Sequence, residues 1–275
     1  MLRRILIIAQ AAFLLGGFNL ASRADEAGPV QIPPPRPLLE IPFISKSPAP
    51  NANINDPAWN SAATIHNLGL ALGSPAGQTL RATSIKAMWD LDFLYIRCQV
   101  DNDLIPYAAA HGPNGDLTGD DAVVLQIDTQ GTAQHWMQLK VSADNDIRDE
   151  SFSLAGIVKS DSHFCLDPEL IKHGLRRTVE SNIEGLMTAT RLTRGGWLVD
   201  IAIPATPLLT YTGKTQFASS MTFRANFLRY QYIDGASPGD PPQRLVMDWA
   251  SVVSDKAEVS PEAMGFLQLV GGTSP

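Results

Sequence analysis

The sequence predicts an all-β protein: an antiparallel β-sandwich of jelly-roll type, at least as large as an immunoglobulin domain and with long loops. Two observations support this fold class. Several short segments alternate apolar and polar residues, which is the pattern of a strand with one face against a core. Clusters of Gly, Pro, Asn and Asp separate these segments and mark turns. The 275 residues are enough for roughly eight to ten short strands in two packed sheets.

The clearest element is a hairpin over residues 83–101. The acidic triplet Asp90-Leu91-Asp92 supplies the turn, and apolar residues alternate on both sides of it. One face of the two arms is apolar: Ile85, Ala87, Trp89, Leu94, Ile96, Cys98 and Val100. Since Trp59 and Trp197 lie in similar patterns, we expect them, like Trp89, in the core.

The same alternation predicts further strands at 122–128, 135–142, 148–154, 186–193, 196–204, 221–232 and 265–270. Segments 66–80 and 102–119 are rich in loop-forming residues. Residues 167–174 predict one or two helical turns that end at Gly174.

The N-terminal region predicts export. Residues 1–24 combine a basic start, an apolar run and a small-residue ending at Ala24, which are the parts of a signal peptide. A membrane anchor is the alternative interpretation. Residues 25–50 are Pro-rich and predict a linker or an arm, and residues 51–271 predict the sandwich. We therefore expect a secreted or periplasmic protein.

The charge of the chain disfavours nucleic acid as a partner. The formal net charge is −7, and cleavage after Ala24 would leave 18 basic against 28 acidic residues. No cluster of basic residues is present to contact phosphates.

The two cysteines, Cys98 and Cys165, leave two alternatives open. They could form a disulfide in an oxidising compartment. Cys98 also lies on the apolar face of its strand, where a free buried thiol is equally common.

Taken together, the segments resemble family 9 carbohydrate-binding modules over residues 51–271. The matching pieces, in the family's order, are Asn55-Asp-Pro-Ala-Trp59, Ala82 to Asp90 with Leu94-Tyr-Ile, Gly119 to Asp128, Gly195 to Pro204, Phe223 to Arg229, Asp248-Trp249 and Gly265 to Leu269. The resemblance implies an antiparallel β-sandwich, found in exported proteins that bind sugars or are attached to glycan-degrading enzymes.

The sequence departs from the family at the sugar clamp. The resemblance implies two tryptophans and a glutamate at the ligand, but Thr118 stands where one tryptophan is expected and Val124 where the glutamate is expected. Residues 255–261, where the second tryptophan is expected, hold no aromatic. We therefore expect any sugar site to be rearranged.

Five residues are candidates for such a site. Trp136 lies on the polar side of its strand, where its ring could be available to a sugar, although it could also pack beneath a loop. Arg224 and Asn226 match the family's Arg-x-Asn motif, and Tyr230 shares their strand face. Arg224 could instead form a structural ion pair. Trp249 resembles a family position.

Other chemistry is less well supported by the residues. Loop acids, namely Asp101, Asp103, Asp120 and Asp121, could hold a structural calcium ion or simply be solvated. Related sandwiches in exported electron-transfer proteins hold haem b through a methionine together with a histidine or lysine. The similarity leaves this as a further alternative, with Met88, Met137, Met221 and Met247 as the methionines to consider. No motif of a hydrolase, metalloprotease or phosphate loop occurs.

The sequence thus predicts an exported, non-catalytic carbohydrate-binding module that serves polysaccharide or oligosaccharide catabolism. The first alternative is a structural or protein-binding sandwich that has lost sugar binding, and another is an accessory domain of a glycoside hydrolase.

Overall fold

The computed structural model describes residues 36–71, 77, 79–101, 103, 106–108, 111, 115–117, 119–154, 164–165, 175–179, 183–233, 243–250 and 264–272. The predicted signal peptide and the predicted helical turn at 167–174 lie outside these residues.

Fifteen strands in the described residues form two sheets. The larger sheet contains β1 (Leu38–Pro42), β3 (Gly69–Leu70), β6 (Ala122–Asp128), β7 (His135–Ser142), β8 (Ile147–Leu154), β9 (Phe164–Cys165), β10 (Leu175–Val179), β13 (Thr222–Ile233), β14 (Gln243–Asp248) and β15 (Gly265–Val270). The smaller sheet contains β2 (Ala63–Ile65), β4 (Thr83–Trp89), β5 (Phe93–Asp101), β11 (Met187–Leu192) and β12 (Gly196–Pro204). The predicted all-β sandwich is confirmed.

The described helices are short. One α-helix spans Ala205–Leu208, and two 3₁₀ segments span Pro57–Ser61 and Thr210–Thr212. No helix within the described residues has both the length and the apolar character that a bilayer crossing requires.

Strand order in the larger sheet is β1-β15-β13-β6-β7-β8-β10-β9, with β14 beside β13 and β3 beside β14. The smaller sheet runs β11-β12-β5-β4-β2. Neighbouring strands are antiparallel except β1 and β15, which run parallel. The long strand β13 therefore contacts β15, β6 and β14, and it positions much of the larger sheet.

The predicted hairpin forms β4 and β5, and the side chain of Asp90 closes its turn. One carboxylate oxygen of Asp90 accepts the backbone N–H groups of Asp92 and Phe93 at 2.9 and 2.8 Å. Its other oxygen accepts the hydroxyls of Tyr95 and Ser47 at 2.8 and 2.6 Å. A short acidic turn residue thus satisfies donors that the tight turn leaves unpaired.

The inner faces of the two sheets form the main core. Every residue predicted for the apolar face of the hairpin is buried in it, together with Trp197 and the odd-numbered residues Phe223, Ala225 and Phe227 of β13. Trp89 also donates from its indole nitrogen to the carbonyl of Ile41 at 2.9 Å. This bond ties the hairpin to β1.

Residues 38–50 belong to the sandwich, so the predicted domain start near residue 51 is too late. β1 pairs with β15 along its whole length, from Leu38 opposite Phe266 to Pro42 opposite Val270. Pro-rich chain favours extended backbone, and extended backbone is also what an edge strand requires. Composition alone therefore could not distinguish an extended linker from an edge strand of the sandwich.

The segment that follows β1 covers the outer face of the smaller sheet. Ile44 and Trp59 pack there against a buried cluster of their own. The Asp200 carboxylate accepts two hydrogen bonds from the Arg97 guanidinium, at 2.7 and 2.9 Å. It also accepts the backbone N–H of Ala52 at 2.9 Å. The Arg97 guanidinium lies 4.5 Å from the ring centre of Trp59. This buried ion pair therefore fixes the N-terminal segment on the sheet.

Substitution of Gly196 by alanine should destabilise the sandwich. Gly196 begins β12 opposite Asp101, and a Cβ at this position would overlap the backbone carbonyl of Val100. We expect the free energy of unfolding in urea to fall by about 3 kcal/mol, because backbone must move to admit the methyl group.

The adjacent Gly195 is the matched control, because nothing lies within 4 Å of the Cβ that alanine would add there. Gly195→Ala should change the unfolding free energy by less than about 0.5 kcal/mol. Equal stability of the two variants would show that the close approach of β12 to β5 does not constrain the fold.

Candidate functional site

The outer face of the larger sheet carries a row of polar side chains across four adjacent strands. We define this polar row as Asn226, Gln126, Gln138 and Glu150. Strand register aligns the four residues. The Gln126 amide donates to the Gln138 oxygen at 2.8 Å, and the Gln138 amide donates to Glu150 at 3.1 Å. The row is buried, so its hydrogen bonds are needed to offset the loss of hydration.

Two basic side chains neutralise the buried carboxylate at the end of the row. Arg148 approaches Glu150 with its Nε and a terminal nitrogen, both at 2.8 Å. The Lys140 ammonium lies 3.7 Å from the other oxygen of Glu150. A buried carboxylate would be costly without such partners.

Trp136 is buried, so of the two alternatives that the sequence left open its ring is packed within the protein rather than available to a ligand. Its indole stacks on Phe152, the residue opposite it on β8, with ring centres 5.3 Å apart and planes at 7°. Trp136 lies on the outer side of β7 as the alternation predicts. The outer side of this sheet is itself buried, however, so position on a polar strand face does not bring exposure here.

Arg224 and Asn226 share a strand face as predicted, and their contacts are structural. The Arg224 Nε donates to the backbone carbonyl of Gly131 at 2.7 Å, which braces the β6–β7 turn. The Asn226 oxygen accepts the backbone N–H of Ala250 at 3.0 Å. The geometry therefore fits the alternative that Arg224 has a structural role. Its hydrogen-bond partner is a backbone carbonyl, whereas the sequence suggested a carboxylate.

Tyr230 and Trp249 lie in different environments. Tyr230 is buried on the outer face, where the Lys140 ammonium and the Arg244 guanidinium lie 5.5 and 4.3 Å from its ring centre. Trp249 packs toward the inner core, with its ring centre 5.8 Å from that of Phe227. The five predicted residues are therefore not gathered into one exposed site.

An exposed aromatic pair, which sequence reasoning missed, lies at one end of the outer face. Tyr107 stacks on Tyr232 with ring centres 4.2 Å apart and planes at 13°, and 47% of Tyr107 is exposed. We call this pair the tyrosine platform. Arg244 lies opposite Tyr232 in the β13–β14 register, so the two side chains are neighbours on the same face.

Asp121 holds both halves of the tyrosine platform. Its two carboxylate oxygens accept the backbone N–H of Tyr107 at 2.7 Å and that of Tyr232 at 3.1 Å. The alternation of β13 places Tyr232 on the outer face, so this half of the platform could have been inferred from the sequence. Tyr107 stands in a predicted loop, where no periodicity indicates its partner.

Two of the four acids considered as calcium ligands contact cationic side chains. Asp103 and Asp121 bind the same terminal nitrogen of Arg229, at 3.0 and 2.5 Å. Asp103 also forms an ion pair with Arg81 at 2.9 Å and accepts a hydrogen bond from the Trp197 indole at 3.0 Å. These contacts form what we call the Arg229 cluster.

The other two acids are likewise engaged. Asp101 accepts from the Gln99 amide at 2.9 Å, and Asp120 lies 2.7 Å from Nε2 of His111. The described residues contain no group of three or more His, Cys, Asp or Glu side chains arranged to hold a metal ion. The four acids are thus not brought together as a ligand set.

Arg229 is fully buried, and burial lowers the pKa of its guanidinium, while the charges of Asp121 and Asp103 act in the opposite direction. Its guanidinium also lies 4.9 Å from the ring centre of Trp197. Two carboxylates and an aromatic face therefore stabilise the cation.

Cys98 is a free thiol in the core, which is the second of the two alternatives that the sequence left open. Burial, with a smaller contribution from Asp200, raises the pKa of the Cys98 thiol. Of the methionines considered as haem ligands, Met88 is buried on the outer side of the smaller sheet and Met247 in the main core.

The architecture is a two-sheet β-sandwich. Solved structures with this fold include a family 9 carbohydrate-binding module from Caldicellulosiruptor kristjanssonii in complex with cellotriose. It is 15% identical, with a TM-score of 0.55, and the match covers 86% of this chain and 95% of that chain. A glucose complex of such a module from the same organism is 16% identical, with a TM-score of 0.54, and the match covers 88% and 98%.

A presumed carbohydrate-binding protein from Bacteroides uniformis has a TM-score of 0.61 at 13% identity, and the match covers 86% of this chain and 100% of that chain. No protein-family model and no curated protein matches the chain. At these identities the structural matches establish the fold, and they confirm the β-sandwich predicted from the sequence.

Substitution of Arg229 by methionine should be strongly destabilising. Methionine fills most of the space but leaves the carboxylates of Asp103 and Asp121 without their buried cation. We expect the free energy of unfolding in urea to fall by about 3–5 kcal/mol.

Arg191 is exposed and provides the matched control. Arg191→Met should alter the unfolding free energy by less than about 0.5 kcal/mol. If Arg229→Met matched the parent protein in stability, the Arg229 cluster would not be a determinant of the fold.

Proposed function

We propose that this protein is an exported, non-catalytic carbohydrate-binding module that takes an oligosaccharide or polysaccharide on the tyrosine platform. The observation that carries the proposal is the stacked pair of Tyr107 and Tyr232, with Tyr107 47% exposed. Family 9 sites implied by the sequence resemblance use two tryptophans. Here a pair of tyrosines with one open face would take their place.

The chemistry around the platform suits a sugar ring. The C–H face of a pyranose packs on an exposed aromatic ring, and its hydroxyls need planar or charged hydrogen-bonding groups nearby. Arg244 lies beside Tyr232, and the His111–Asp120 pair adjoins Asp121 in the chain. The partly exposed side chains of Arg244 and His111 can form hydrogen bonds with hydroxyls at the edge of the platform.

The fold matches support the ligand class at a coarse level, since two of the matched structures were solved with cellotriose and glucose. A single open aromatic face buries less of a sugar ring than a clamp does. We therefore expect weak binding, with dissociation constants of about 0.1–1 mM.

The buried residues beneath the outer face have a supporting role in this proposal. Side-chain bonds of the polar row tie β6, β7 and β8 together, and Asn226 ties β13 to the backbone of Ala250. Tyr230 and Arg244 pack against each other next to Tyr232. A rigid sheet of this kind holds the platform in place before the ligand arrives, which lowers the cost of binding.

Two features favour the alternative of a structural or protein-binding sandwich that has lost sugar binding. The tryptophan and glutamate positions of the clamp hold Thr118 and Val124, and the indole of Trp136 is buried against Phe152. Export is proposed from residues 1–24, and cleavage at Ala24 can be checked by N-terminal sequencing of the secreted protein.

A role in haem binding would show as a Soret band in the absorption spectrum of the purified protein.

Substitution of Tyr107 by alanine should weaken glycan binding by about tenfold, because it removes the exposed ring and keeps the backbone N–H that Asp121 accepts. The measurement is a glycan array of the purified protein, followed by titration calorimetry with the best oligosaccharide for parent and variant.

Tyr211 is the matched control, since it is an exposed tyrosine outside the outer face, with 57% of its surface accessible. Tyr211→Ala should leave the affinity unchanged. Selective binding that survives in Tyr107→Ala would place the site elsewhere, and an array without binding to the folded protein would favour the alternative function.

A further inference from the structure

A second, separate groove lies at the end of the sandwich opposite the tyrosine platform. It has a volume of about 320 Å³ and is lined by Thr129, Gln130, Leu209, Thr212, Lys214, Met221, Thr222 and Phe223. The residues come from the β6–β7 turn, the segment after the α-helix and the start of β13. Thr222 and Tyr232 are ten residues apart on β13, so about 33 Å of strand separates the two sites.

The lining of the groove is divided between an apolar floor and a polar rim. Leu209 and Phe223 are buried in the main core, and Met221 packs against the same core. The rim offers three threonine hydroxyls, the amide of Gln130 and the ammonium of Lys214. An apolar floor beneath hydroxyl and amide groups is the composition that a hydroxylated ring requires.

The rim is held in place by bonds within the protein. The Asp128 carboxylate accepts the backbone N–H groups of Gln130 and Gly131 at 3.0 and 2.9 Å. The Thr129 hydroxyl donates to the carbonyl of Leu208 at 3.1 Å, and the Thr212 hydroxyl donates to that of Leu209 at 2.8 Å. Each donating hydroxyl keeps acceptor capacity for a ligand.

The lining of the groove carries a single charge. Lys214 is the only charged residue of the lining, and no ion pair of Lys214 occurs among the described residues. In a protein with a formal net charge of −7, an unpaired ammonium beside a polar groove favours a ligand with one negative charge. The volume is at the lower end for small-molecule sites, which fits a single ring.

We propose that this groove is a second ligand site that takes one sugar acid, a pyranose with a carboxylate, as a free sugar or a chain-terminal unit. The ring lies on the apolar floor, its hydroxyls meet Thr129, Thr212 and Gln130, and its carboxylate meets Lys214. This site does not depend on the tyrosine platform, because the two share no residue.

The test is a titration of the ¹⁵N-labelled protein with glucuronate, glucose and acetate, followed by amide chemical shifts. Glucuronate should give saturable shifts at Gln130, Thr212 and Lys214, whereas glucose should bind more weakly at the same amides. Lys214→Met should weaken glucuronate binding about fivefold, as expected for an exposed charge pair. Lys46→Met, which removes an exposed lysine elsewhere, should not weaken it.

Three outcomes would overturn the proposal. These are the absence of saturable shifts with glucuronate, an equal response to acetate, and an affinity for glucuronate that Lys214→Met leaves intact. Tyr107→Ala should leave the glucuronate shifts unchanged. Its effect on neutral oligosaccharides therefore tests the tyrosine platform independently of the groove.

Discussion

The buried guanidinium of Arg229 is the constraint on which the rest of the structure depends. Arg229 belongs to the larger sheet, while Asp103 follows β5 of the smaller sheet and Asp121 precedes β6. One cation therefore holds the two sheets together at one end of the sandwich. Asp121 also accepts the backbone N–H groups of both platform tyrosines. The same carboxylate thus connects the stability of the fold to the geometry of the proposed sugar site, and none of these residues can change without affecting the others.

Local patterns predicted the regular strands well. The hairpin of β4 and β5 and the strands β6, β7, β12 and β15 lie where alternation places them, because each has one face in the main core and a strong turn signal at its ends. β1, β2, β3, β9, β10 and β14 escaped prediction. The two-residue β3 and the three-residue β2 are too short to show a period. The Pro-rich sequence around β1 predicts extended backbone but does not show that this segment pairs with another strand.

The candidate site was harder to predict for a physical reason. Alternation tells which residues share a strand face, and it correctly grouped Arg224, Asn226 and Tyr230. Alternation does not tell whether that face is exposed to solvent. Trp136 is buried because the outer face of the sheet is covered at its position. Contacts such as Arg229 with Asp103, or Tyr107 with Tyr232, join residues more than 100 positions apart. Such pairs depend on strand order and register across the sheet, which one sequence does not display.

The central claim is that a glycan binds on the open face of Tyr107. The most direct measurement is a crystal structure of the protein soaked with the oligosaccharide that binds best on an array. We expect a sugar ring stacked on Tyr107, with its hydroxyls near Arg244 and His111. Sugar density confined to another surface, with the tyrosine platform free of ligand, would contradict the claim.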